Sequence, residues 1–176
     1  MAFFFVYAYD VDMKKTNAMR ILDSAKINYE VASYDDDGEH ELSHGAAGRT
    51  AEKLGINPEQ VFKTIVMRTQ SKEIVVFCQS AKSEINLKKA RAACDAKELS
   101  SVKSDELLPL TGYVRGGCSP LGMKRKFRTF IDETALLHDK IYVSAGIRGT
   151  QLCLSPGDLV KAADATVCDL ALIEAN

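Results

Sequence analysis

The sequence contains few residues that bind metals or form disulfides. Its five cysteines are odd in number, widely spaced and never arranged as CxxC, which argues against both a disulfide framework and a zinc site. The three histidines are His40, His44 and His138, and they form neither an HExxH motif nor a His/Cys cluster. We therefore expect no metal, no cofactor and a reduced, cytoplasmic compartment.

An excess of basic charge is also missing, as are a secretion signal and a membrane span. The net charge is −1 at pH 7, so the chain lacks the global basic field of a general nucleic-acid binder, and any RNA contact must be local. Residues 1–12 are apolar but too short to cross a bilayer, and they have no charged region or cleavage site of a signal peptide. They are interpreted as an N-terminal extension, either an added strand or a disordered tail.

No internal repeat, low-complexity tract or linker divides the remaining chain. The total of 176 residues, 46% of them hydrophobic, suits one domain with a real core, assigned to residues 13–176. Short strands alternate with short helices without regular βαβ units, and neither GxGxxG nor a Walker motif occurs. We predict an α+β fold with a mixed, barrel-like sheet. Its strands are expected at 29–34, 61–69, 73–80, 111–117, 126–132, 140–146, 150–155 and 166–171.

Local signals define the helices. Thr16 is a predicted N-cap of a helix that buries Met19, Ile21, Leu22 and Ala25. Further helices are expected at 43–54, ended by Gly55, at 87–96 with Leu87, Ala90 and Cys94 inward, at 104–110, ended by Pro109 and Gly112, and at 156–164. Asn57 and Pro58 predict one more helical turn, and the two strands that follow are separated by a short polar turn, which predicts an antiparallel pair.

The most unusual stretch is GGCSPLG at residues 116–122. Three glycines and a proline allow a sharply bent backbone whose amides could hold an anion or a carbonyl, although such clusters are more often plain turns. Basic residues follow at Lys124, Arg125, Lys126 and Arg128. This local cluster predicts weak, salt-sensitive binding of tRNA.

A second candidate is Lys63 in the strand VFKTIVM. Alternation puts Lys63 on one face with Val61, Ile65 and Met67. An ammonium in an apolar row must either extend its charge to solvent or face a cavity with an anionic or polar ligand, and both interpretations stay open.

The third candidate is the turn VSAGIRG, at residues 143–149. It offers Ser144 and the phosphate-directed guanidinium of Arg148. Neither Ser144 nor Ser119 lies in a GxSxG elbow or has a recognisable histidine partner, so a serine-hydrolase triad is disfavoured. Cys118 also lacks a base and is better interpreted as a small buried side chain.

Together, KTNAMRIL, VFKTIVM, GYVRGGCSPLGMKRKFRTFID, IYVSAGIRG and the closing GDLVKAADA resemble the YbaK/EbsC family of aminoacyl-tRNA deacylases, from about Met13 to the end. The Gly/Pro loop, the basic run and FID are most similar to the branch that acts on Cys-tRNA(Pro). The same domain type occurs as the editing insertion of bacterial prolyl-tRNA synthetases. The resemblance implies a closed or nearly closed six-stranded mixed barrel with peripheral helices.

The resemblance also implies site residues. The family's essential lysine falls on Lys63, and Gly117 lies in its conserved loop, so these two are the expected catalytic positions. The expected substrate-binding residues are Tyr34, Thr64, Gly116, Ser119, Pro120, Gly122, Ser144, Gly146, Arg148 and Gln151. Four positions depart from the family pattern: Cys118 replaces an aliphatic residue, Ala145 a glycine, Ile147 a lysine and Gln151 an aspartate. The neutral amide of Gln151 keeps hydrogen bonding but loses a negative charge, which would retune the site toward another small amino acid.

The implied function is trans-editing hydrolysis of mischarged tRNA(Pro), most of all Cys-tRNA(Pro), with prolyl-tRNA synthetase as a possible partner and no membrane association. The alternatives are a deacylase for Ala-tRNA(Pro) or another aminoacyl-tRNA, or a non-catalytic module that binds a nucleotide or the tRNA end. In the enzyme, Lys63 would contact a phosphate or carbonyl oxygen, and the loop amides would form an oxyanion-type cradle.

Overall fold

Two β-sheets with helices around them form the protein. The structure is a computed structural model and describes residues 14–36, 38 and 46–172. The predicted extension at 1–12, the start of the helix predicted at 43–54, and two of the histidines lie outside the described residues. The helices are α1 (Asn17–Ser24), α2 (Ala46–Leu54), α3 (Leu87–Cys94), α4 (Ser104–Thr111) and α5 (Pro156–Ala163), with short 3-10 helices at Pro58–Gln60 and Glu133–Leu137. The strands are β1 (Glu30–Ser33), β2 (Phe62–Thr69), β3 (Ile74–Ser80), β4 (Leu99–Ser101), β5 (Arg128–Asp132), β6 (Ile141–Ser144), β7 (Thr150–Leu154) and β8 (Thr166–Cys168).

The larger sheet is built on the predicted hairpin. Strands β2 and β3 pair antiparallel, with Lys63 opposite Gln79 and Thr64 opposite Cys78. The order of the five strands is β4-β2-β3-β5-β8, and β5 lies parallel to both β3 and β8. The sheet is therefore mixed, and the predicted α+β class is confirmed.

The smaller sheet has the order β1-β7-β6 and is antiparallel throughout. It meets the larger sheet at an isolated parallel bridge between Val61 and Tyr142. The expected closed, six-stranded barrel is therefore wrong in detail: the described chain has eight strands in two sheets. Strand β4, which the sequence analysis missed, is only three residues long, too short to show alternation in the sequence, whereas β8 lies within the strand predicted at 166–171.

The predicted strand at 111–117 is also wrong. Thr111 is the last residue of α4, where its hydroxyl donates to the Leu107 carbonyl at 2.7 Å. Gly112 caps the helix with φ = 83°, a left-handed conformation that glycine adopts without strain. Tyr113 is then buried, and its hydroxyl donates to the Leu121 carbonyl at 2.6 Å. Helix α4 also continues past Pro109, which was expected to end it.

The predicted caps form as expected, and the helices pack narrow apolar stripes on the sheets. Thr16 accepts a hydrogen bond from the Met19 amide at 3.2 Å. In α1 the buried residues are Ala18, Met19 and Leu22, whereas Ile21 is 41% exposed, contrary to the prediction. Leu87 is likewise exposed, because it is the first residue of α3, while Ala90 and Cys94 are buried as predicted. No helix in the described ranges is long and apolar enough to cross a membrane.

A buried carboxylate joins the end of β5 to the C-terminal part of the chain. Asp132 is 1% exposed. Its Oδ1 accepts hydrogen bonds from the Thr134 amide at 3.0 Å and from the Thr134 hydroxyl, and its Oδ2 accepts one from the Leu170 amide at 2.7 Å. Leu170 is fully buried in the cluster around Phe77 and Phe130. The Asp132 carboxylate therefore fixes the residues that follow β8 against the core.

We expect Asp132→Ala to lower the free energy of unfolding by about 3 kcal/mol, because two buried amides lose a charged acceptor. Urea denaturation measures this loss. Asp169→Ala is the control, since it removes only the exposed ion pair with Lys89 at 2.7 Å and should cost at most about 1 kcal/mol. Equal losses in the two variants would contradict the structural role of Asp132.

Candidate active site

The Gly/Pro loop packs directly against the turn between β6 and β7. A Cβ built on Gly117 would lie 3.1 Å from both the Arg148 nitrogen and the Ile147 carbonyl carbon. The Arg148 Nε donates to the Arg115 carbonyl at 2.9 Å, which fastens the two segments a second time. The structure therefore brings together two of the three stretches singled out in the sequence, 116–122 and 143–149.

Two further glycines, Gly146 and Gly149, allow other segments of the chain to contact the same turn closely. Gly146 has φ = 99°, and a Cβ there would lie 2.7 Å from the ring of Tyr113. Gly149 has φ = 75°, and a Cβ there would lie 2.7 Å from the Tyr34 carbonyl oxygen. The Tyr34 amide donates to the Gly149 carbonyl at 2.8 Å. The predicted site residue Tyr34 is thus held at the turn by main-chain contacts.

Helix α2 lies over this tyrosine. The Thr50 hydroxyl donates to the Tyr34 hydroxyl at 3.1 Å, and the Lys53 ammonium lies 5.7 Å from the centre of the Tyr34 ring. Lys53 also donates to the Asp35 carbonyl at 2.9 Å. These contacts pack the C-terminal half of α2 against Tyr34 and the residue that follows it.

The predicted polar residues form a row across the smaller sheet. Gln151 is opposite Ala32 on one side and Ser144 on the other. Gln151 is 6% exposed. The Ser144 hydroxyl accepts a hydrogen bond from the Gly146 amide at 3.3 Å, so this serine shapes the turn.

Lys63 continues the row on the other sheet. Because Val61 and Tyr142 form a parallel bridge, Lys63 and Ser144 are each two residues further along their strands, on the same side. The Lys63 side chain is 31% exposed, and its Nζ lies 3.8 Å from Glu84 Oε1. The Lys63 side chain is therefore partly exposed on the strand next to the one that ends at Ser144.

Thr64 does not share this side of the strand. Its neighbours on the same face, Phe62 and Val66, are buried in the interior. The Thr64 hydroxyl oxygen is buried and has no hydrogen-bond partner among the described residues. The structure thus separates Thr64 from Lys63, and Thr64 borders the core beneath the Gly/Pro loop.

The remaining loop residues support its shape from inside. Ser119 is fully buried, and its hydroxyl accepts a hydrogen bond from the Leu121 amide at 3.3 Å. Pro120 is also buried, and a Cβ on Gly122 would lie 2.7 Å from the Asn17 carbonyl carbon in α1. Gly116, with φ = 85°, is exposed at the start of the loop. The Gly117 amide donates to the Val114 carbonyl at 3.0 Å, so any amide that holds substrate belongs to another loop residue.

The side chains that could act as nucleophiles are withdrawn from the opening. Cys118 is 9% exposed, and burial raises the pKa of its thiol to about 12. Ser119 is enclosed, and Ser144 is bound to its own turn. Among the described residues no histidine hydrogen-bonds to any of them, and no cluster of three metal-binding side chains occurs. Within the described part of the chain, the groups available to a substrate are main-chain amides and the Lys63 charge.

Sequence reasoning missed Tyr113 and Arg115 because both fell in the predicted strand at 111–117. Burial raises the pKa of Tyr113 to about 12, so its hydroxyl stays protonated and keeps donating to the loop. Tyr113 also lines a groove of about 430 Å³ beside the turn. The groove is lined by Lys14, Lys15, Thr16, Asn17, Gly112, Tyr113, Gly146 and Ile147. The sequence signal that could have identified Tyr113 is its place between Gly112, which ends α4, and the glycine pair at 116–117.

Comparison with known proteins gives three kinds of likeness. The family model of aminoacyl-tRNA editing domains matches residues 44–162. The chain is 39% identical over 146 residues to EbsC of Enterococcus faecalis, a proposed Cys-tRNA(Pro)/Cys-tRNA(Cys) deacylase, which covers 81% of this chain and 85% of EbsC. It is also 30% identical over 86 residues to a proline–tRNA ligase of Lactobacillus gasseri, covering 49% of this chain and 15% of the ligase.

Solved structures share the fold at low sequence identity. A proposed trans-editing enzyme for prolyl-tRNA synthetase superposes with a TM-score of 0.76 at 21% identity, covering 92% of this chain and 100% of that one. A hypothetical protein superposes with a TM-score of 0.79 at 18% identity, covering 89% of this chain and 100% of that one. The two-sheet architecture is therefore an established fold.

We expect Cys118 to resist alkylation in the folded protein, because at pH 8 a thiol with a pKa of about 12 is ionised in about one molecule in ten thousand. Iodoacetamide labelling followed by peptide mass spectrometry measures the rate. Cys168 is half-buried, whereas the other four cysteines are buried, so it should react first, and unfolding in urea should release all five cysteines. Rapid labelling of Cys118 in the folded state would show that the loop opens.

Proposed function

The chain belongs to the family of aminoacyl-tRNA editing domains, and from this premise we propose that it deacylates Cys-tRNA(Pro) in trans. The assigned substrate of EbsC supports the choice of cysteine, and the shared fold supports editing as a free-standing domain. The likeness to a proline–tRNA ligase supports prolyl-tRNA synthetase as the enzyme whose errors are corrected. Five unpaired cysteines agree with action in the reduced cytoplasm.

One observation carries the proposal: the site gathers groups that position a substrate and withdraws those that could attack it. Lys63 presents a partly exposed positive charge two residues beyond the bridge that joins the sheets. The Gly117 loop and the turn with Ser144 and Gly146 form the neighbouring wall. Cys118 and Ser119 are buried behind that wall. Such a site suits a substrate that supplies its own nucleophile.

In the proposed reaction that nucleophile is the thiol of the cysteinyl group. Its sulfur attacks the ester carbonyl of the same residue, forming a carbon–sulfur bond while the ester bond to the ribose oxygen breaks. The thiol proton passes to the departing ribose oxygen, and water then opens the resulting four-membered thiolactone to give cysteine. Holding an internal thiol at attack distance is worth about 7 to 11 kcal/mol in effective molarity.

Each side chain has a role in this reaction. Lys63 stabilises negative charge on a phosphate or on the carbonyl oxygen, with loop amides other than that of Gly117 sharing the oxyanion. Gly117 lets the loop approach the turn closely enough to form one wall. Tyr34 lines the mouth, Ser144 and Gly146 shape the turn, and Gln151 presents a neutral amide next to Ser144. Thr64, Ser119, Pro120 and Gly122 hold this arrangement from within, while Gly116 and Arg148 lie at its exposed edge.

The rate of amino acid release from a panel of aminoacyl-tRNAs tests the proposal. Wild-type protein should release cysteine from Cys-tRNA(Pro) much faster than alanine from Ala-tRNA(Pro), and it should leave Pro-tRNA(Pro) intact. Preferred release of alanine would assign the chain to the Ala-tRNA(Pro) branch. Binding without release of any amino acid would make it a non-catalytic module and would refute the enzyme.

Lys63→Ala should lower kcat/KM for Cys-tRNA(Pro) by roughly two to three orders of magnitude, because the site loses a fixed positive charge. Circular dichroism should show an intact fold, since the ammonium is partly exposed. Lys82→Ala is the matched control, because Lys82 forms an exposed ion pair with Glu59 at 3.2 Å on the segment after β3. Near wild-type turnover by folded Lys63→Ala protein would remove Lys63 from the reaction.

The source of the nucleophile is tested by a pair of rates. Cys118→Ala should keep most of its activity on Cys-tRNA(Pro), since the reacting sulfur belongs to the substrate. Wild-type protein should act far more slowly on Ser-tRNA(Pro), because the seryl hydroxyl is nearly the same size but a much weaker nucleophile. An inactive Cys118→Ala protein, or equal rates on the two substrates, would show that the attacking group is not the substrate thiol.

A further inference from the structure

The basic run after the Gly/Pro loop is not electrostatically uniform. Lys126 pairs with Asp164 at 2.5 Å, and Arg128 binds both carboxylate oxygens of Glu73 at 2.7 and 3.0 Å. Lys124 and Arg125 are exposed and have no carboxylate partner in the part of the chain that the structure describes. Two of the four basic residues are therefore in ion pairs. Only Lys124 and Arg125 of the expected RNA-binding cluster at 124–128 carry a charge without a carboxylate partner among the described residues.

The unpaired Lys124 lies at the groove beside the active site. Its amide donates to the Thr111 carbonyl at 3.0 Å. Its aliphatic chain runs along Gly112, with Cγ and Cε 3.2 and 3.5 Å from a Cβ built there. Gly112 and Gly146 both line the 430 Å³ groove. The Lys124 charge thus lies at the rim of a groove that ends at the active-site turn.

Two exposed arginines lie beside the Gly/Pro loop, since Arg115 directly precedes Gly116 and Arg148 is bound to the Arg115 carbonyl. The Arg148 Nε is fixed on the Arg115 carbonyl at 2.9 Å, which leaves its two terminal nitrogens without a partner among the described residues. Arg115 is exposed next to the loop glycines and likewise forms no ion pair there. Two neighbouring exposed arginines without a carboxylate partner among the described residues fit a phosphodiester, which accepts forked hydrogen bonds from arginine.

We propose that Lys14, Arg115, Lys124 and Arg148, here called the cation rim, bind the phosphate backbone of the tRNA acceptor strand. Lys14 lines the groove at its α1 end, so the rim marks both the groove and the mouth of the site. The strand lies along the groove, and its 3′ end passes Arg115 and Arg148 into the site. This surface explains how a chain of net charge −1 binds a polyanion, because the charges that remain unpaired are local. The inference rests on the proposed function only for the identity of the RNA.

The experiment compares two double variants that remove the same charge. Arg115→Ala with Lys124→Ala removes two members of the cation rim, and the Arg115 carbonyl that holds Arg148 remains. Lys82→Ala with Lys126→Ala is the control, since both lysines are already paired with carboxylates. Binding of uncharged tRNA(Pro) is measured across a KCl series, together with KM for Cys-tRNA(Pro).

We expect the rim variant to bind uncharged tRNA about tenfold more weakly at low salt, and the slope of log K against log[KCl] to fall in magnitude by about 1.4, or 0.7 for each lost contact with the phosphate of a single strand. Its KM should rise by a similar factor, while the control keeps the wild-type slope and KM. Equal slopes in the two variants would overturn the cation rim. If the wild-type protein deacylates no aminoacyl-tRNA, the proposed function is refuted. If the salt slope for tRNA binding still falls in the rim variant, the cation rim is supported independently of that function.

Discussion

The site depends on the absence of side chains at three points of main-chain contact. Gly117 admits the backbone of residues 147 and 148, Gly146 admits the ring of Tyr113, and Gly149 admits the carbonyl of Tyr34. Each contact joins a segment distant in sequence to one short turn, so a Cβ at any of them would push apart the walls of the same opening. Because main-chain atoms hold the shape, neighbouring side chains can vary. Ala145 is buried in the core and Ile147 is exposed, and both depart from the family pattern without disturbing these contacts.

The incomplete joining of the two sheets is the second determinant. A closed barrel would continue the ladder from Val61 and Tyr142 past Lys63 and Ser144, and the backbone there would be fully paired. Val61 and Tyr142 form only an isolated bridge, so the described strands form no ladder at Lys63, two residues further along. Val61, a neighbour of Lys63 on the same face of the strand, is buried, whereas the Lys63 side chain is 31% exposed, which lowers the cost of placing an ammonium there.

The sequence allowed prediction of features that depend on neighbouring residues. The cap at Thr16, the hairpin of β2 and β3, and the unusual loop and turn all follow from local patterns, and the structure contains them. Features that depend on distant partners could not be predicted. Lys126 and Arg128 form ion pairs with Asp164 and Glu73, 38 and 55 residues away, and the predicted strand at 111–117 is replaced by a helix end because the Tyr113 hydroxyl binds the Leu121 carbonyl. The burial of Ser119 and Pro120 could not be predicted for a similar reason, since the loop folds its centre inward.

The neutral side chain of Gln151 affects which substrate the proposed site can select. It is buried opposite Ser144, so a carboxylate in its place would need a compensating charge nearby. The carboxylate that the structure places beside Lys63 is Glu84, which is 64% exposed and therefore weakly attached through solvent-screened attraction. A neutral Gln151 leaves the Lys63 charge free for an anionic part of the substrate. In the proposed reaction, selection among amino acids of similar size then depends on whether the bound residue carries a group that can attack its own ester, rather than on a charge in the pocket that recognises it.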